Sequence, residues 1–159
     1  MLYHLTLTSS LILASTLAVD RSVLAQSVDV PFSGTVPVQA TFSTPIPGST
    51  EPTIPTNSSG APTKLESHTP ATISVQTSTP ATIIVSPPRF VSGTTPDPVG
   101  TTYVGFLKFG STSVSSNVGG GSTTLPEGST NLEVAMLVER PDGFTPGTYT
   151  YVVTLTVTP

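Results

Sequence analysis

Apolar and small polar residues alternate with period two over much of this chain. In the longest stretch, residues 28–42, the even positions other than Gly34 are all apolar: Val28, Val30, Phe32, Val36, Val38, Ala40 and Phe42. Such alternation predicts extended chain with one buried face. Gly34 has no side chain to bury, so it separates two strand-forming pieces, 28–32 and 35–43. Each piece contains a proline, which cannot donate a ladder hydrogen bond, so both are expected at sheet edges.

Shorter stretches of the same kind follow. Two similar decapeptides, 69–78 and 79–88, predict neighbouring strands joined as a hairpin. Residues 101–109 predict a strand, and residues 111–118 a polar edge strand. Strict alternation resumes at 132–140, where the side chains predicted to point inward are Leu132, Val134, Met136 and Val138.

The last strand-forming stretch, 148–158, brings the chain to its end. Its predicted inward side chains are Tyr149, Tyr151, Val153, Leu155 and Val157. About seven strands with irregular spacing predict an all-β fold of two packed antiparallel sheets, a β-sandwich. Tyr149 follows a glycine-containing turn, as in a tyrosine corner, where the hydroxyl bonds backbone near the entry to a late strand. An ordinary strand tyrosine with its hydroxyl in water fits the sequence equally well.

The N-terminus predicts a targeting segment. Residues 5–19 are mostly apolar, and small residues at Val23 and Ala25 fit a signal-peptidase site. The run is too short and too polar for a comfortable membrane span. We expect residues 1–25 to be a signal peptide and residues 26–159 to form one domain that is secreted, on the cell surface or periplasmic. A buried helix is the alternative for the apolar run.

Composition narrows the function classes. Charged residues make up only 9% of the chain, and Val, Ile and Thr are abundant, which favours pleated strands over disorder. The net charge of −4, with no cluster of Lys or Arg, argues against binding to a nucleic-acid backbone. The chain has no Cys, so it has no disulfide and no thiolate metal site.

Residues 43–63, rich in Ser, Thr and Pro, predict a long surface loop. This loop is either a mobile excursion, a ligand-contacting segment or a glycosylated one, because Asn57-Ser58-Ser59 matches the N-glycosylation pattern. A second loop is predicted at 90–100.

Residues with catalytic or metal-binding chemistry are sparse. After Ala25 the chain has one histidine, His68, and one histidine does not make a zinc site. Glu133 and Glu139 lie six positions apart on one strand, about 20 Å, which is too far for a pair of glycosidase carboxylates. No serine lies in a nucleophile elbow. We therefore expect no catalytic site, no cofactor and no metal, and a protein that is not an enzyme.

Both ends of the mature chain resemble a known group of proteins. Val30-Pro-Phe32-Ser-Gly34-Thr-Val36 is similar to the N-terminal Val-x-Phe-x-Gly-x-Val pattern of chaperone–usher pilins and the spore coat protein U family. The ending Pro146-Gly147-Thr148-Tyr149, followed by an alternating strand, resembles the C-terminus of those subunits, with a weaker likeness at 71–78. Those families join an early strand to the next one through a disulfide, and the matching positions here, Ala40 and about 76–77, have no Cys.

The resemblance implies an immunoglobulin-like sandwich that lacks its last strand, with a groove filled by an N-terminal extension. It implies a structural or adhesive subunit, with copies of itself, related subunits and a periplasmic chaperone as partners. The expected assembly residues are Val28, Val30 and Phe32 beside the final strand, which carries Tyr149, Tyr151, Val153, Leu155 and Val157. Insertion into the same domain, insertion into a neighbour, and an ordinary first strand all remain open. The alternative function is a stand-alone extracellular module that binds surface polysaccharide through the 43–63 or 90–100 loop.

Overall fold

The computed structural model describes residue 33 and residues 39–159, apart from the side chains of residues 53–56, and residues 39–159 lie within one compact unit, Val36–Pro159. The predicted signal peptide and the predicted strand piece 28–32 lie outside the described residues. The strands are β1 (Ala40–Phe42), β2 (Ser49–Thr56), β3 (Pro62–Thr69), β4 (Ala71–Thr77), β5 (Ala81–Val85), β6 (Arg89–Ser92), β7 (Thr102–Phe109), β8 (Thr112–Ser115), β9 (Ser122–Leu125), β10 (Gly128–Glu139), β11 (Thr150–Val152) and β12 (Leu155–Thr158).

The first sheet is built around the long strand β10. On one side β10 pairs antiparallel with β4 and then with β3, which follow each other and are separated only by Pro70. β1 pairs with β4 and β2 pairs with β3, so β1 and β2 form the outer edge there. On the other side of β10 the sheet continues with β7 and ends with β8.

The second layer consists of two small sheets, β12-β5-β9 and β11-β6. They are linked, because β5 continues into β6 and β11 continues into β12. Pro87 and Pro88 lie between β5 and β6, where their missing N–H groups interrupt the ladder. Across from them, Thr154 donates its N–H to Ser86 Oγ and accepts a hydrogen bond from the Ser86 N–H, both at 2.9 Å.

Among the described residues, two clusters of buried side chains form the core. The larger cluster draws on both layers and contains Val75, Ile83, Val85, Leu107, Leu125 and Leu132. The smaller contains Leu65, Met136, Val138 and Phe144. Gly105 of β7 allows close packing between the layers, because a Cβ there would collide with the carbonyl oxygen of Ser86. The all-β, antiparallel sandwich prediction is confirmed.

On one side of the sandwich the chain itself connects the layers. β8 leads through a short 3₁₀ turn, Gly119–Gly121, into β9. Gly121, at φ +68°, sits directly against the Val85 carbonyl oxygen, 2.5 Å from where its Cβ would be. The opposite side of the sandwich, between β1–β2 and β11–β12, has no such connection within the described residues.

The hairpin predicted from the two decapeptides is wrong. β4 pairs with β1 and β10 in the first sheet, whereas β5 pairs with β12 and β9 in the second layer. The three residues between these strands, 78–80, therefore carry the chain from one layer to the other. Sequence similarity between two strands indicates that both have one buried face, and it does not require that they share hydrogen bonds.

The segment predicted as one long loop, 43–63, contains β2 and the first residues of β3. β2 is an edge strand and pairs on one side only within the described residues, with a register shift at each end. Pro52 and Pro55 are accommodated because an edge strand needs only half of its backbone groups for pairing. The predicted loop 90–100 likewise begins inside β6.

Candidate functional site

The unconnected side of the sandwich contains a groove of about 730 Å³, which we call the seam groove. One bank is formed by β1, the 43–48 connection and the start of β2. The other bank is formed by β11 and β12. Its apolar and aromatic lining residues are Phe42, Pro45, Pro47, Ala71, Ile73, Val134, Ala135, Met136, Tyr149, Tyr151, Val153 and Leu155. A groove of this size and character is sufficient to bind an extended segment or a small molecule.

Side chains along the final strand are incompletely covered. Val153, Leu155 and Val157 point inward and pack against the larger core cluster, yet each is only half-buried. On the neighbouring strand β5, by contrast, Ala81, Ile83 and Val85 are at most 4% exposed. Within the described part of the chain, the core is therefore only partly covered along the final strand, where the seam groove lies.

Backbone groups without a strand partner among the described residues line the same bank. The carbonyl and N–H of Thr154 both face β5, so by the alternation of an antiparallel ladder those of Leu155 and Val157 face away from it. Among the described residues no strand pairs with β12 on that side. Across the groove, Ser43 donates its N–H to the Ser74 carbonyl of β4, which leaves the backbone groups of Phe42 facing outward.

A buried ion pair lies beside the smaller core cluster, next to the tyrosine end of the seam groove. Arg140 is 1% exposed, and its Nε donates to Asp97 Oδ1 at 2.8 Å. Its Nη1 and Nη2 donate to the Thr95 hydroxyl and carbonyl, at 3.1 and 2.9 Å. The guanidinium carbon lies 4.7 Å from the ring centroids of both Phe144 and Tyr149. The charge is thus paired, hydrogen-bonded and held between aromatic faces.

Two tyrosines donate to the same carboxylate, Tyr103 to Oδ2 and Tyr151 to Oδ1, each at 2.7 Å. Burial alone raises the pKa of Asp97, but the hydrogen bonds from Tyr103, Tyr151 and Arg140 outweigh it and hold that pKa below its ordinary value. Burial, together with the hydrogen bond to Asp97, raises the pKa of Tyr151 far above its ordinary value. Asp97 is therefore a charged acceptor that fixes β7 and β11 to the 93–101 loop.

Tyr149 has the hydroxyl contacts of a tyrosine corner. Its Oη donates to the Thr145 carbonyl, four residues upstream, at 3.1 Å, and lies 2.8 Å from the Thr145 hydroxyl. Its ring packs edge-on against Phe144, with 5.2 Å between centroids. Of the two interpretations that the sequence leaves open, the bonded hydroxyl is the one observed.

The predicted assembly residues are distributed as follows. Tyr149, Tyr151, Val153 and Leu155 line the seam groove, whereas Val157 packs in the larger core cluster. Val28, Val30 and Phe32 lie outside the described residues. The sequence pattern does not predict the pairing of Asp97 with Arg140. The signal that could have found Arg140 is its even position, which continues the inward series of β10.

Other candidate chemistry is dispersed. His68 lies on the surface, with its Nδ1 3.5 Å from Glu51 Oε2. Across residues 39–159, no three His, Cys, Asp or Glu side chains come together as a metal site. No helix in the described part of the chain is long and apolar enough to cross a membrane.

Comparison of the chain with family models, with curated proteins and with solved structures gives no match.

Proposed function

We propose that this protein is a secreted or surface-exposed structural or adhesive subunit that assembles by β-strand exchange. The observation that carries the proposal is the seam groove, where a half-covered core lies beside a strand edge that no described strand pairs with. An unpaired strand edge beside apolar side chains is an aggregation liability for an isolated molecule, because another chain can pair with it. A segment that supplies both backbone pairing and apolar side chains would satisfy it.

The chain contains a segment with the required chemistry. Val28, Val30 and Phe32 alternate with Asp29 and Pro31, so an extended 28–32 piece presents three apolar side chains to one side. Burial of each would contribute about 1.5–3 kcal/mol. The resemblance to chaperone–usher pilins and spore coat U proteins supports this assignment. It also supplies the expected partners: copies of this chain, related subunits and a periplasmic chaperone.

The experiment replaces the three apolar side chains while keeping chain length. In a protein that begins at residue 26, we would change Val28, Val30 and Phe32 to Ser, and compare it with a control changed at the alternate positions, Asp29→Asn and Ser33→Thr. Native mass spectrometry and size exclusion over a range of concentrations report assembly, and urea denaturation reports stability. We expect the triple variant to lose oligomers or stability and the control to retain both.

The same experiment distinguishes the two modes of insertion. Loss of concentration-dependent oligomers indicates insertion into a neighbour. Loss of stability in a protein that is monomeric at every concentration indicates insertion into the same domain and would contradict assembly. A synthetic peptide spanning 26–34 should then bind the triple variant and restore its stability. A triple variant that is as stable as the unsubstituted protein and does not bind the peptide would contradict strand exchange.

A further inference from the structure

A second groove lies on the outer face of the first sheet, and we call it the outer groove. It has a volume of about 550 Å³ and opens to solvent on the face of the first sheet that points away from the core. Its floor is formed by outward side chains of β4, β10 and β7, and its wall by the 43–46 segment, in which Ile46 is 67% exposed. The polar side chains of the floor are Thr72, Ser74, Lys108, Asn131 and Glu133.

These floor side chains form two rows across neighbouring strands. Ser74 lies opposite Asn131, and its hydroxyl donates to Asn131 Oδ1 at 2.7 Å. In the next row Glu133 lies between Thr72 and Lys108, with Lys108 Nζ 3.4 Å from Glu133 Oε2. Neighbouring strands are about 4.8 Å apart, which is comparable with the length of one hexose ring.

Donors and acceptors both remain available in the groove. Because Asn131 Oδ1 is held by Ser74, the Asn131 amide group is oriented, and no described residue accepts a hydrogen bond from its Nδ2. The Lys108 and Glu133 side chains are 60% and 51% exposed and retain further hydrogen-bonding capacity. Hydrogen bonds to these charged groups would be stronger than neutral ones.

We propose that the outer groove binds a neutral oligosaccharide. A sugar hydroxyl both donates and accepts, so adjacent hydroxyls can bond Glu133, Lys108 and the Asn131 amide together. Lys108 and Glu133 cancel in charge, so an anion or a cation meets a like charge as well as an opposite one. The exposed Ile46 side chain supplies an apolar surface for the C–H face of a sugar ring.

An extended peptide is a poor occupant for this groove. The strands of its floor have both backbone edges in use, β4 between β1 and β10, and β10 between β4 and β7. Strand addition, which the seam groove allows, therefore has no free backbone groups here. The inference does not depend on strand exchange, because the floor side chains of the outer groove point away from the core, although the 43–46 segment borders both grooves.

The test titrates the folded, ¹⁵N-labelled protein with neutral gluco-, manno- and galacto-tetraoses, an oligogalacturonate and the 26–34 peptide. We expect at least one neutral tetraose to shift the Asn131 side-chain amide signals. Asn131→Ala and Glu133→Gln should each weaken that binding about tenfold or more. The matched control is Gln76→Ala, on the same face of β4 but outside the groove lining, and it should leave the affinity unchanged.

Three results would overturn the proposal. They are no shift with any neutral tetraose at millimolar concentration, tighter binding of the charged oligogalacturonate or of the peptide at this face, and binding that survives both groove substitutions. Preserved backbone amide spectra of the variants establish that they fold, so loss of binding is then a property of the groove.

Discussion

Ala40 of β1 lies directly opposite Thr77 of β4. The hydrogen bonds that flank this pair, from the Ser78 N–H to the Gln39 carbonyl and from the Ser43 N–H to the Ser74 carbonyl, make it a non-hydrogen-bonded pair by alternation. Such pairs bring Cα atoms to about 4.5 Å, within the range that a disulfide spans. These are the two neighbourhoods where the resemblance to pilins places a disulfide, and here the pair is Ala and Thr.

We expect the double variant Ala40→Cys/Thr77→Cys to form a disulfide on oxidation. The bond would close a long loop and raise the free energy of unfolding by about 2–4 kcal/mol. Part of this gain is offset, because the substitution removes the Thr77 hydroxyl, which donates to the Pro126 carbonyl at 2.9 Å. Urea denaturation of the oxidised and reduced forms measures the gain, with Ala40→Cys alone as control. A double variant whose thiols stay free under oxidising conditions would contradict the register.

Much of the framework could be predicted from alternation alone. Leu132, Met136 and Val138 point inward in β10 as predicted, and Leu107 of β7 is also buried. The pattern does not determine pairing partners, because a half-buried strand looks the same in either layer. For that reason the similarity of the two decapeptides predicts one hairpin, whereas their strands lie in different sheets.

Proline and charge explain why the sequence pattern does not predict the edge strand β2 or the burial of Arg140. The prolines of β2 favour a loop in the sequence pattern. The segment is nevertheless an edge strand, because a strand that pairs on one side tolerates proline. Arg140 occupies an inward position. Because it is charged and precedes Pro141, the sequence pattern predicts that the strand ends there rather than that Arg140 is buried. Its burial depends on Asp97, which comes from a distant loop, and no local pattern connects the two.

The Asp97–Arg140 pair should behave as a coupled unit. Asp97→Asn leaves a buried guanidinium without its counter-charge, and Arg140→Met leaves a buried carboxylate, so each should lower the free energy of unfolding by about 3–5 kcal/mol. The double variant Asp97→Asn/Arg140→Met contains neither buried charge and should be less destabilised than the sum of the two. Chemical denaturation of all four proteins completes the cycle. Additive effects would mean that the two charges do not interact.

Acid should weaken the fold through Asp97. Its pKa in the folded protein lies below the ordinary value of 3.8, so the stabilisation is present above that value and is lost as the pH falls through the lowered pKa. Stability measured by urea denaturation should therefore decline below about pH 4 more steeply in the natural protein than in the Asp97→Asn/Arg140→Met variant. Parallel curves for the two proteins would assign the acid sensitivity to other carboxylates.

The Asn57 side chain connects two loops at one end of the sandwich. Its Nδ2 donates to the Asp142 carbonyl at 2.8 Å, and its Oδ1 accepts hydrogen bonds from the N–H groups of Ser59 and Ala61 at 3.0 and 2.9 Å. Gly143 packs closely against this amide, since a Cβ there would lie 2.9 Å from Nδ2. A sugar attached to Nδ2 would have to displace these neighbours, so we expect the folded protein to carry no glycan at Asn57.

Two substitutions separate the structural role of Asn57 from a glycosylation role. Asn57→Ala removes all three hydrogen bonds and should lower the free energy of unfolding by about 1–3 kcal/mol. Ser59→Ala destroys the acceptor pattern but keeps the bonds, because Ser59 contributes only its backbone N–H, so its stability should match that of the natural protein. Thermal denaturation and intact mass, measured on protein from a glycosylating host, provide both readouts. If Ser59→Ala lost both mass and stability, a glycan rather than the hydrogen bonds of Asn57 would be stabilising this end of the fold.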